Sequence, residues 1–528
     1  MKAFLAIFKQ TIRSAMRSKV FLVLFALILI VVIGLPLTIK GDNTPAGLVQ
    51  ISLTYSLNIA IALISASTLW LGCSLLASDI ESYNVHLVLV KPCPRWVLWL
   101  GKWLGIVAMH TAILVVSMFV IYGLTMYRLA AAERSGQFSA EQMEKLRQET
   151  LVARRKFYPA PVDLRAQVEK TYEERVRNGS LKPGEDAESI RTLKKAIQTE
   201  LMQGIMKNIS VPPGETHEWN YRGVTVPKGG TPIFLRFRIS AGDIAETSQK
   251  RLPIDWTFAV FTDKDGKALP APAPGSYKDA HGQPFHMPGG TWQELATLQP
   301  GAAVGPGTFN FPAQVIVNTA DGNLARLTFA NLSKPEEDPE WKRPAEAGKA
   351  LTEEQQRENN SLKQKYTAIF QVVDGPLLMC RVASFFDNFL RTVLMAVIQI
   401  VFLAALGCTV GAIFSTPVAI FVAVSYIVIG MIVPAAVNAP LRNDDGSYIY
   451  SNNLNRAIHY LSRGVQAIVV TVDDLDCTSQ LASGELVEWA EVGGALLKVL
   501  VLRTGLIALL GIWLLQNREL GLVVRKIG

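Results

Sequence analysis

The chain has 528 residues, of which 50% are hydrophobic, and its mean hydropathy is +0.25. The apolar residues are clustered into long runs, so the composition excludes a wholly soluble globular protein and indicates membrane spans. The formal net charge is +8, and the five cysteines are too few and too scattered for a disulfide-stapled scaffold.

Residues 1–19 form a basic segment before the first apolar run. Phe4, Phe8, Ile12 and Met16 recur every four residues, while lysines and arginines take the other faces. No small-residue cleavage site follows the apolar run, so we do not expect a cleaved signal peptide. The pattern predicts a basic amphipathic helix lying on a membrane surface, with a solvated helix end as the alternative.

Six segments are long enough to cross a hydrocarbon core of about 30 Å, which takes about 20 helical residues. The lysines and arginines that flank the spans place both termini in the cytoplasm, and the membrane is predicted to be the inner (plasma) membrane. The last span carries Lys498 and Arg503 in its outer half, and Arg503 either snorkels outward or faces the bundle interior. The predicted spans are 20–39, 53–77, 103–126, 391–413, 417–437 and 497–516.

The link between the second and third spans, residues 79–102, is predicted to be cytoplasmic and has an unusual composition. Asp79 and Glu81 suit the first turn of a short helix, where acidic side chains are favoured. Two prolines, Pro92 and Pro94, would end that helix and force a turn. We call this link the elbow and predict that it is rigid, against the alternative of an ordinary loop.

The second half of the elbow combines cations with tryptophans. Arg95 and Lys102 are expected at the lipid headgroups, and Trp96, Trp99 and Trp103 are expected to form an interfacial belt. This pattern supports the cytoplasmic placement of the elbow.

Residues 127–390 are too long for a passive loop and are predicted to lie on the extracytoplasmic side of the membrane. Charged segments between 128 and 207 predict a helical stalk, or else a mobile charged linker. From 208 to 335 the apolar residues alternate with a period of two, and Asp321–Gly322 is a hairpin signal. Short strands with Gly/Pro turns predict an antiparallel β-sandwich.

The remaining outer segments are predicted as follows. Residues 336–365 are a charged linker or solvated helix, and Phe370–Phe389 is an amphipathic segment on the outer surface before span four. Cys380 and Cys477 are both placed outside, where they either pair or remain free thiols.

Few residues suggest chemistry at a metal or catalytic centre. His281 and His286 have no cysteine or carboxylate at zinc spacing, so we expect loop histidines and no metal site. No catalytic residues are predicted. A phosphate-cradling loop needs a Gly-Lys pair followed by Ser or Thr, whereas Gly101–Lys102 is followed by Trp103. ATP hydrolysis, if it occurs, is therefore expected to belong to a partner.

The elbow resembles the cytoplasmic signature of ABC-2-type transporter permeases. The resemblance rests on Ser78–Glu81, the apolar run that ends in Lys91–Pro92, then Arg95, and Leu100–Lys102 with Gly105. Pro94 stands where this family often has Ser or Thr, and the Gly-Thr that often follows the glutamate is absent. Residues 403–424 and 517–521 are similar to the family's fourth and fifth spans and to its closing Arg-Glu.

The resemblance implies a permease subunit that is not itself an enzyme. Such subunits form homodimers or heterodimers with a second permease and dock separate ABC ATPase subunits, which bind the ATP and Mg²⁺; this chain is expected to hold no cofactor. The ATPase-coupling residues implied by the match are Glu81, Lys91, Pro92, Arg95, Gly101 and Lys102. Export is favoured over import by analogy with the family.

Polar residues inside the spans are candidates to line a translocation path. These are Asn58, His110 and Gln399, whose alternative role is to form hydrogen bonds between helices. The expected partners are the ATPases, the lipid bilayer and an unknown outer ligand or protein, with no nucleic acid. A rival function is a membrane-anchored binding or scaffold protein without transport, and a third is an ATPase-driven shape change of the outer domain.

The sequence thus predicts an α-helical polytopic membrane protein with six transmembrane helices and an inserted extracytoplasmic α+β region. We divide the chain into five parts: an N-terminal helix with spans one to three (1–127), a stalk (128–207), a β-sandwich-like domain (208–335), a linker with a surface segment (336–390), and spans four to six (391–528) with a second outer segment at 438–496.

Overall fold

A computed structural model provides the structure of the chain. It describes the following residues, and the observations below concern these alone: 2–82, 94–159, 164–177, 193–198, 210–225, 233–241, 254–263, 290–298, 305–311, 316–319, 322–342, 351–370, 376–438, 457, 460–465, 469 and 475–518.

The chain divides into two compact units. The first, here called the membrane unit, comprises Met1–Ala153, Ala383–Arg442 and Tyr448–Gly528, and the second, here called the β unit, comprises Arg154–Val382 and Asn443–Ser447. The helices of the membrane unit are α1 (Lys2–Arg17), α2 (Lys19–Thr38), α3 (Pro45–Glu81), α4 (Arg95–Arg134), α5 (Ala140–Glu149), α8 (Phe385–Ile413), α9 (Thr416–Asn438), α10 (Thr478–Ala482) and α11 (Trp489–Asn517). The helices of the β unit are α6 (Leu164–Arg177) and α7 (Glu353–Lys365).

Six of the described helices, α2, α3, α4, α8, α9 and α11, are long and apolar enough to cross a membrane. They coincide with the six predicted spans, although α3 and α4 reach 37 and 40 residues because the helical backbone continues beyond the apolar runs. α8 lies at the centre of the unit, since 83% of its apolar window is buried against 22% for α9. The exposed apolar faces of the outer helices suit contact with lipid.

Glycines allow α3 and α8 to cross at backbone contact. A Cβ atom at Gly72 would lie 3.0 Å from the Cα of Gly407, and one at Gly411 would lie 2.5 Å from the carbonyl oxygen of Cys73. Small residues four apart let helix backbones approach closely, and Gly407 and Gly411 have this spacing. The crossing joins the first three spans to the last three.

The N-terminal helix α1 packs on α4 through a second glycine pair. Its buried residues are Ile7, Thr11 and Ala15, and Cβ atoms at Gly101 and Gly105 would lie 2.8 Å from Ile7 and Thr11 side-chain atoms. The predicted apolar face is therefore not the most buried one, because Gly101 and Gly105 offer space to the neighbouring face. Gly101, a predicted coupling residue, serves in the structure as a packing site for α1.

The β unit contains antiparallel strands in two sheets. The strands are β1 (Val152–Phe157), β2 (Ser210–Val211), β3 (Thr216–Arg222), β4 (Ile233–Ala241), β5 (Ile254–Asp263), β6 (Gly290–Leu298), β7 (Gly305–Phe311), β8 (Ile316–Thr319), β9 (Gly322–Asn331), β10 (Ala368–Phe370) and β11 (Leu377–Ser384). A six-stranded sheet has the order β1-β11-β4-β10-β2 with β7 also paired to β4, and a five-stranded sheet has the order β3-β9-β5-β6 with β8 paired to β9.

The predicted antiparallel β structure is confirmed by the strand pairing. Both sheets also contribute side chains to one core. Leu235 and Phe237 from β4 pack in the same cluster as Leu327 and Phe329 from β9. The predicted hairpin is also present, with Thr319 of β8 opposite Gly322 of β9.

Two predictions about the flanks of the β unit are wrong. The charged segment 128–207 contains the strand β1 as well as helices, which a helical pattern does not indicate. The segment Phe370–Phe389 is not a surface amphipathic segment, because it contains β11 and the start of α8. Its apolar residues include Leu378 and Cys380, which are fully buried in the β core.

A polar cluster holds the segment before the last span against α8. The Asn388 side chain donates to the Glu485 carbonyl at 2.6 Å and accepts from the Val487 backbone N at 2.8 Å. The Arg391 guanidinium donates to the Val487 carbonyl at 2.9 Å and lies 4.8 Å from the centre of the Trp489 ring. The start of α11 is thereby attached to the central helix.

Candidate functional site

The two ends of the elbow are the last turn of α3 and the first turn of α4. α3 ends at Glu81 and α4 begins at Arg95, while Lys91 and Pro92 lie outside the described residues. The prediction that a separate helix begins at Asp79 is wrong. The carboxylates lie at the C-terminal end of a long helix, where the helix dipole disfavours negative charge.

Glu81 is stabilised in this position by the start of another helix. Its Oε1 atom accepts a hydrogen bond from the backbone N of Thr416 at 2.9 Å, and its Oε2 atom accepts from Thr416 Oγ1 at 3.3 Å. Thr416 is the first residue of α9, whose first N–H groups have no acceptor within the helix. Glu81 of α3 therefore caps the N-terminus of α9.

Asp79 forms an ion pair with Lys102 of α4, and the Lys102 ammonium also donates to the Leu75 carbonyl at 2.9 Å. The Lys102 side chain is only 7% exposed. The prediction that Lys102 faces the lipid headgroups is therefore wrong. A buried cation needs such a partner, because an unpaired buried charge costs several kcal/mol, on the order of 3–5.

Arg95 binds the C-terminal end of the last span. Its guanidinium donates to the carbonyl oxygens of Leu515, Gln516 and Arg518 at 3.1, 2.7 and 2.9 Å. These are carbonyl groups that the end of a helix leaves without donors, and a cation there also complements the helix dipole. Arg518 in turn donates to the carbonyl of Ala412 in the last turn of α8. The sequence predicted that Arg95 contacts lipid headgroups. In the structure its guanidinium is instead hydrogen-bonded to backbone carbonyls.

The three elbow tryptophans do not share one surface. Trp96 is 45% exposed, whereas Trp99 is fully buried. The Trp103 indole donates to the Val401 carbonyl of α8 at 3.2 Å. The prediction of an interfacial belt is wrong for Trp99, because the small residues of α8 and α11 leave space for its ring beside Gly511.

We call the side chains that tie these helix ends together the elbow network. It connects α3, α4, α8, α9 and α11 through bonds between helix termini. Sequence reasoning singled out four of its members and missed the role of the other two. The Ser415–Thr416–Pro417 run, typical of a helix start that needs capping, is the signal for one of them. The members are Asp79, Glu81, Arg95, Lys102, Thr416 and Arg518.

Two of the three predicted path residues lie together. Asn58 and Gln399 line one cavity of about 180 Å³, together with Thr392, Asp476 and Thr478. Asn58 accepts a hydrogen bond from the Thr478 hydroxyl, and the Gln399 amide donates to Ser65 Oγ at 3.3 Å. Both side chains therefore have partners on neighbouring segments as well as access to the cavity.

His110 lies apart from that cavity. Its ring nitrogens are 3.1 Å from Ser67 Oγ and 3.1 Å from the Ile106 carbonyl, and its ring meets Phe21 edge-on. The side chain is fully buried between helices. This position matches the alternative role of joining helices.

The other predicted chemical features add no site within the described residues. No group of three or more His, Cys, Asp or Glu there is arranged to hold a metal ion, while His281 and His286 lie outside these residues. Cys380 and Cys477 are free, buried thiols.

A comparison with protein families connects the elbow network to a known class. The model of the family described as ABC-2 family transporter protein matches residues 5–142, which contain most of α1, all of α2 to α4 and four members of the network. No curated protein matches the chain with significance, and neither does any solved structure. The resemblance to this family is confirmed over residues 5–142. The similarities at 403–424 and 517–521 lie outside the matched range and stay predictions.

Proposed function

From the match of residues 5–142 to the ABC-2 transporter family, we propose that this chain is the permease subunit of an ATP-binding-cassette exporter. The match and the six apolar helices indicate a multi-pass membrane protein. In the proposed assembly two copies, or one copy and a second permease, dock separate ATPase subunits that bind ATP and Mg²⁺. The elbow and both termini face the cytoplasm of the inner membrane.

The elbow network supports the proposed coupling to an ATPase. An ATPase that pulls on the elbow displaces the ends of α3 and α4. Because Glu81 holds the start of α9 and Arg95 holds the end of α11, the displacement reaches the last two spans as well as spans two and three. Motion spreads through such bonded helix ends, whereas a flexible loop would absorb it.

The proposed roles of the site residues divide into two groups. Lys91 and Pro92, which lie outside the described residues, contact the ATPase, as the family resemblance implies. Glu81, Arg95 and Lys102 transmit the motion, because their side chains are bonded within the protein. The cavity beside Asn58 and Gln399 is part of the path that opens when the helices move.

Co-purification tests the partnership with an ATPase. We expect the tagged full chain to retain an ATP-hydrolysing subunit after detergent extraction. Replacing Lys91 and Pro92 with alanine should reduce the retained hydrolysis about tenfold or more, since one lost contact of 1.4 kcal/mol is a factor of ten in affinity. Arg13→Ala, which removes an exposed charge of α1, is the matched control. A chain that never retains an ATPase would support the scaffold alternative.

Thiol labelling tests the orientation. Ser415 lies in the α8–α9 turn and Ser361 in α7, and both are exposed. In a Cys93→Ser background, we expect an impermeant maleimide to label Ser361→Cys in intact cells and to label Ser415→Cys only after lysis. The background is low, because burial raises the pKa of the Cys380 and Cys477 thiols to about 12 and keeps them protonated. The reverse labelling pattern would contradict the proposed topology.

A further inference from the structure

The last span contains a nine-residue π-helical segment, Leu496–Thr504, in the middle of α11. A π-helix bonds residue i to i+5, and such segments are rare and often lie at functional sites. The Thr504 hydroxyl repeats this spacing, since it donates to the Val499 carbonyl at 2.9 Å. The segment therefore changes which side chains share a face.

The changed spacing brings together the two cations of the last span. In an α-helix with 3.6 residues per turn, Lys498 and Arg503 would lie about 140° apart around the axis. A π-helix has more residues per turn than an α-helix, so residues five apart lie closer to one face. Lys498 and Arg503 accordingly line the same cavity of about 650 Å³, a volume typical of small-molecule sites. We call it the π-turn cavity, and its charged lining is Arg463, Asp476, Glu491, Lys498 and Arg503.

The two carboxylates of the π-turn cavity already accept hydrogen bonds from the protein. Asp476 Oδ1 accepts from the backbone N of Thr478 at 2.9 Å and lies 2.6 Å from the Thr478 hydroxyl oxygen, and Glu491 Oε2 accepts from the backbone N of Glu488 at 3.3 Å. By contrast, Lys498 and Arg463 form no hydrogen bond or ion pair with any part of the chain that the structure describes. Lys498 and Arg463 are thus cationic groups of the cavity that can bind an external anion.

The same turn of α11 exposes apolar side chains, which suit contact with lipid. Leu497, Val501 and Leu502 are 60%, 60% and 54% exposed beside the cavity. A cation at this place in a membrane span is costly unless an anion accompanies it. Met395 and Val499 add apolar surface to the cavity wall.

We propose that the π-turn cavity binds the phosphate group of an anionic phospholipid. Lys498 and Arg503 contact the phosphate oxygens from α11, and Arg463 contacts them from a separate segment that also lines the cavity. Phosphate is the chemistry that cations gathered on one face recognise best. The acyl chains lie along the exposed Leu497, Val501 and Leu502. This proposed lipid site does not depend on the proposed transport function.

Binding to the purified full chain tests the proposal. The chain in a neutral detergent is titrated with short-chain phosphatidylglycerol, with phosphatidylcholine of equal chain length, and with inorganic phosphate, and the shift in thermal midpoint is followed by tryptophan fluorescence. We expect saturable stabilisation by phosphatidylglycerol. Lys498→Gln and Arg503→Gln should each raise its dissociation constant about tenfold or more, as expected for the loss of a charge-assisted bond.

Two control variants separate the cavity from general charge effects. Lys498→Arg keeps the cation and should bind as the unchanged chain does, and Lys40→Gln removes an exposed cation from the loop that follows α2 and should have no effect. If inorganic phosphate stabilises the chain as much as phosphatidylglycerol does, the cavity is still an anion site, but its ligand is a free phosphate and not a lipid headgroup. Equal binding of phosphatidylglycerol by Lys498→Gln, Arg503→Gln and the unchanged chain would overturn the proposal, as would equal binding of phosphatidylcholine.

Discussion

Replacing Arg95 with alanine is expected to uncouple the C-terminal spans from the elbow while leaving the helices folded. The guanidinium supplies three hydrogen bonds to the end of α11, and no other residue of the described elbow reaches those carbonyls. In the proposed assembly we expect the rate of ATP hydrolysis to fall about tenfold or more, which corresponds to about 1.4 kcal/mol of lost coupling. Retention of the ATPase subunit should be unchanged, because Arg95 is bonded within the chain.

Glu81→Ala is the matched change at the other end of the elbow. It removes both bonds to Thr416 and leaves the start of α9 without its cap. A second readout is the rate at which a maleimide labels Ser415→Cys, which lies next to Thr416. In the parent assembly, ATP should change this rate. In the Glu81→Ala and Arg95→Ala assemblies, the rate should not respond to ATP.

Two controls make this result specific. Arg13→Ala removes an exposed arginine of α1 and should preserve both hydrolysis and the labelling response. Glu81→Gln keeps one acceptor oxygen for Thr416 and should retain part of the response. If the Arg95→Ala assembly hydrolyses ATP and responds at Ser415→Cys like its parent, the elbow network does not transmit the motion.

Gly411→Ala is expected to destabilise the membrane unit strongly. The new Cβ would lie 2.5 Å from the Cys73 carbonyl oxygen, and neither backbone can move without separating α3 from α8. Overpacking of this kind costs about 1–3 kcal/mol, and more where backbone is the obstacle. We expect a lower thermal midpoint and a smaller monodisperse fraction in size-exclusion chromatography.

Gly123→Ala provides a control of opposite sign. No atom lies within 4 Å of a Cβ at this position of α4, so the change should be neutral or stabilise the helix by up to about 1 kcal/mol. Both variants make the same chemical change within a membrane-spanning helix. Equal thermal midpoints for the two variants would show that the glycine crossing does not limit stability.

Some features of this protein depend only on local pattern, and these were predictable. A run of about 20 apolar residues indicates a membrane span whichever helices it packs against, so hydropathy was sufficient to find the six spans. Alternation with a period of two likewise reported β4, and a turn dipeptide reported the β8–β9 hairpin. The family resemblance rested on an ordered motif in residues 78–105 and was confirmed by the match to residues 5–142.

The helix boundaries and the roles of the charged residues were not predictable in this way. Asp79 was expected to start a helix, yet it ends one and pairs with Lys102. The dipole argument considered only the helix that contains the carboxylate, whereas a partner on another helix decides its energy. Trp99 was expected at an interface and is buried for the same reason.

The amino-acid sequence by itself determined the number of spans, the alternating strands and the residue types gathered in the elbow, because hydropathy and periodicity are properties of neighbours along the chain. Only the tertiary structure decided what those residues bind. Glu81 meets Thr416 across 335 residues and Arg95 meets Leu515 across 420. The π-helical turn that gathers Lys498 and Arg503 depends on how α11 packs. Such contacts depend on which helix ends meet in space, and that is set by backbone approach at glycines such as Gly72 and Gly411.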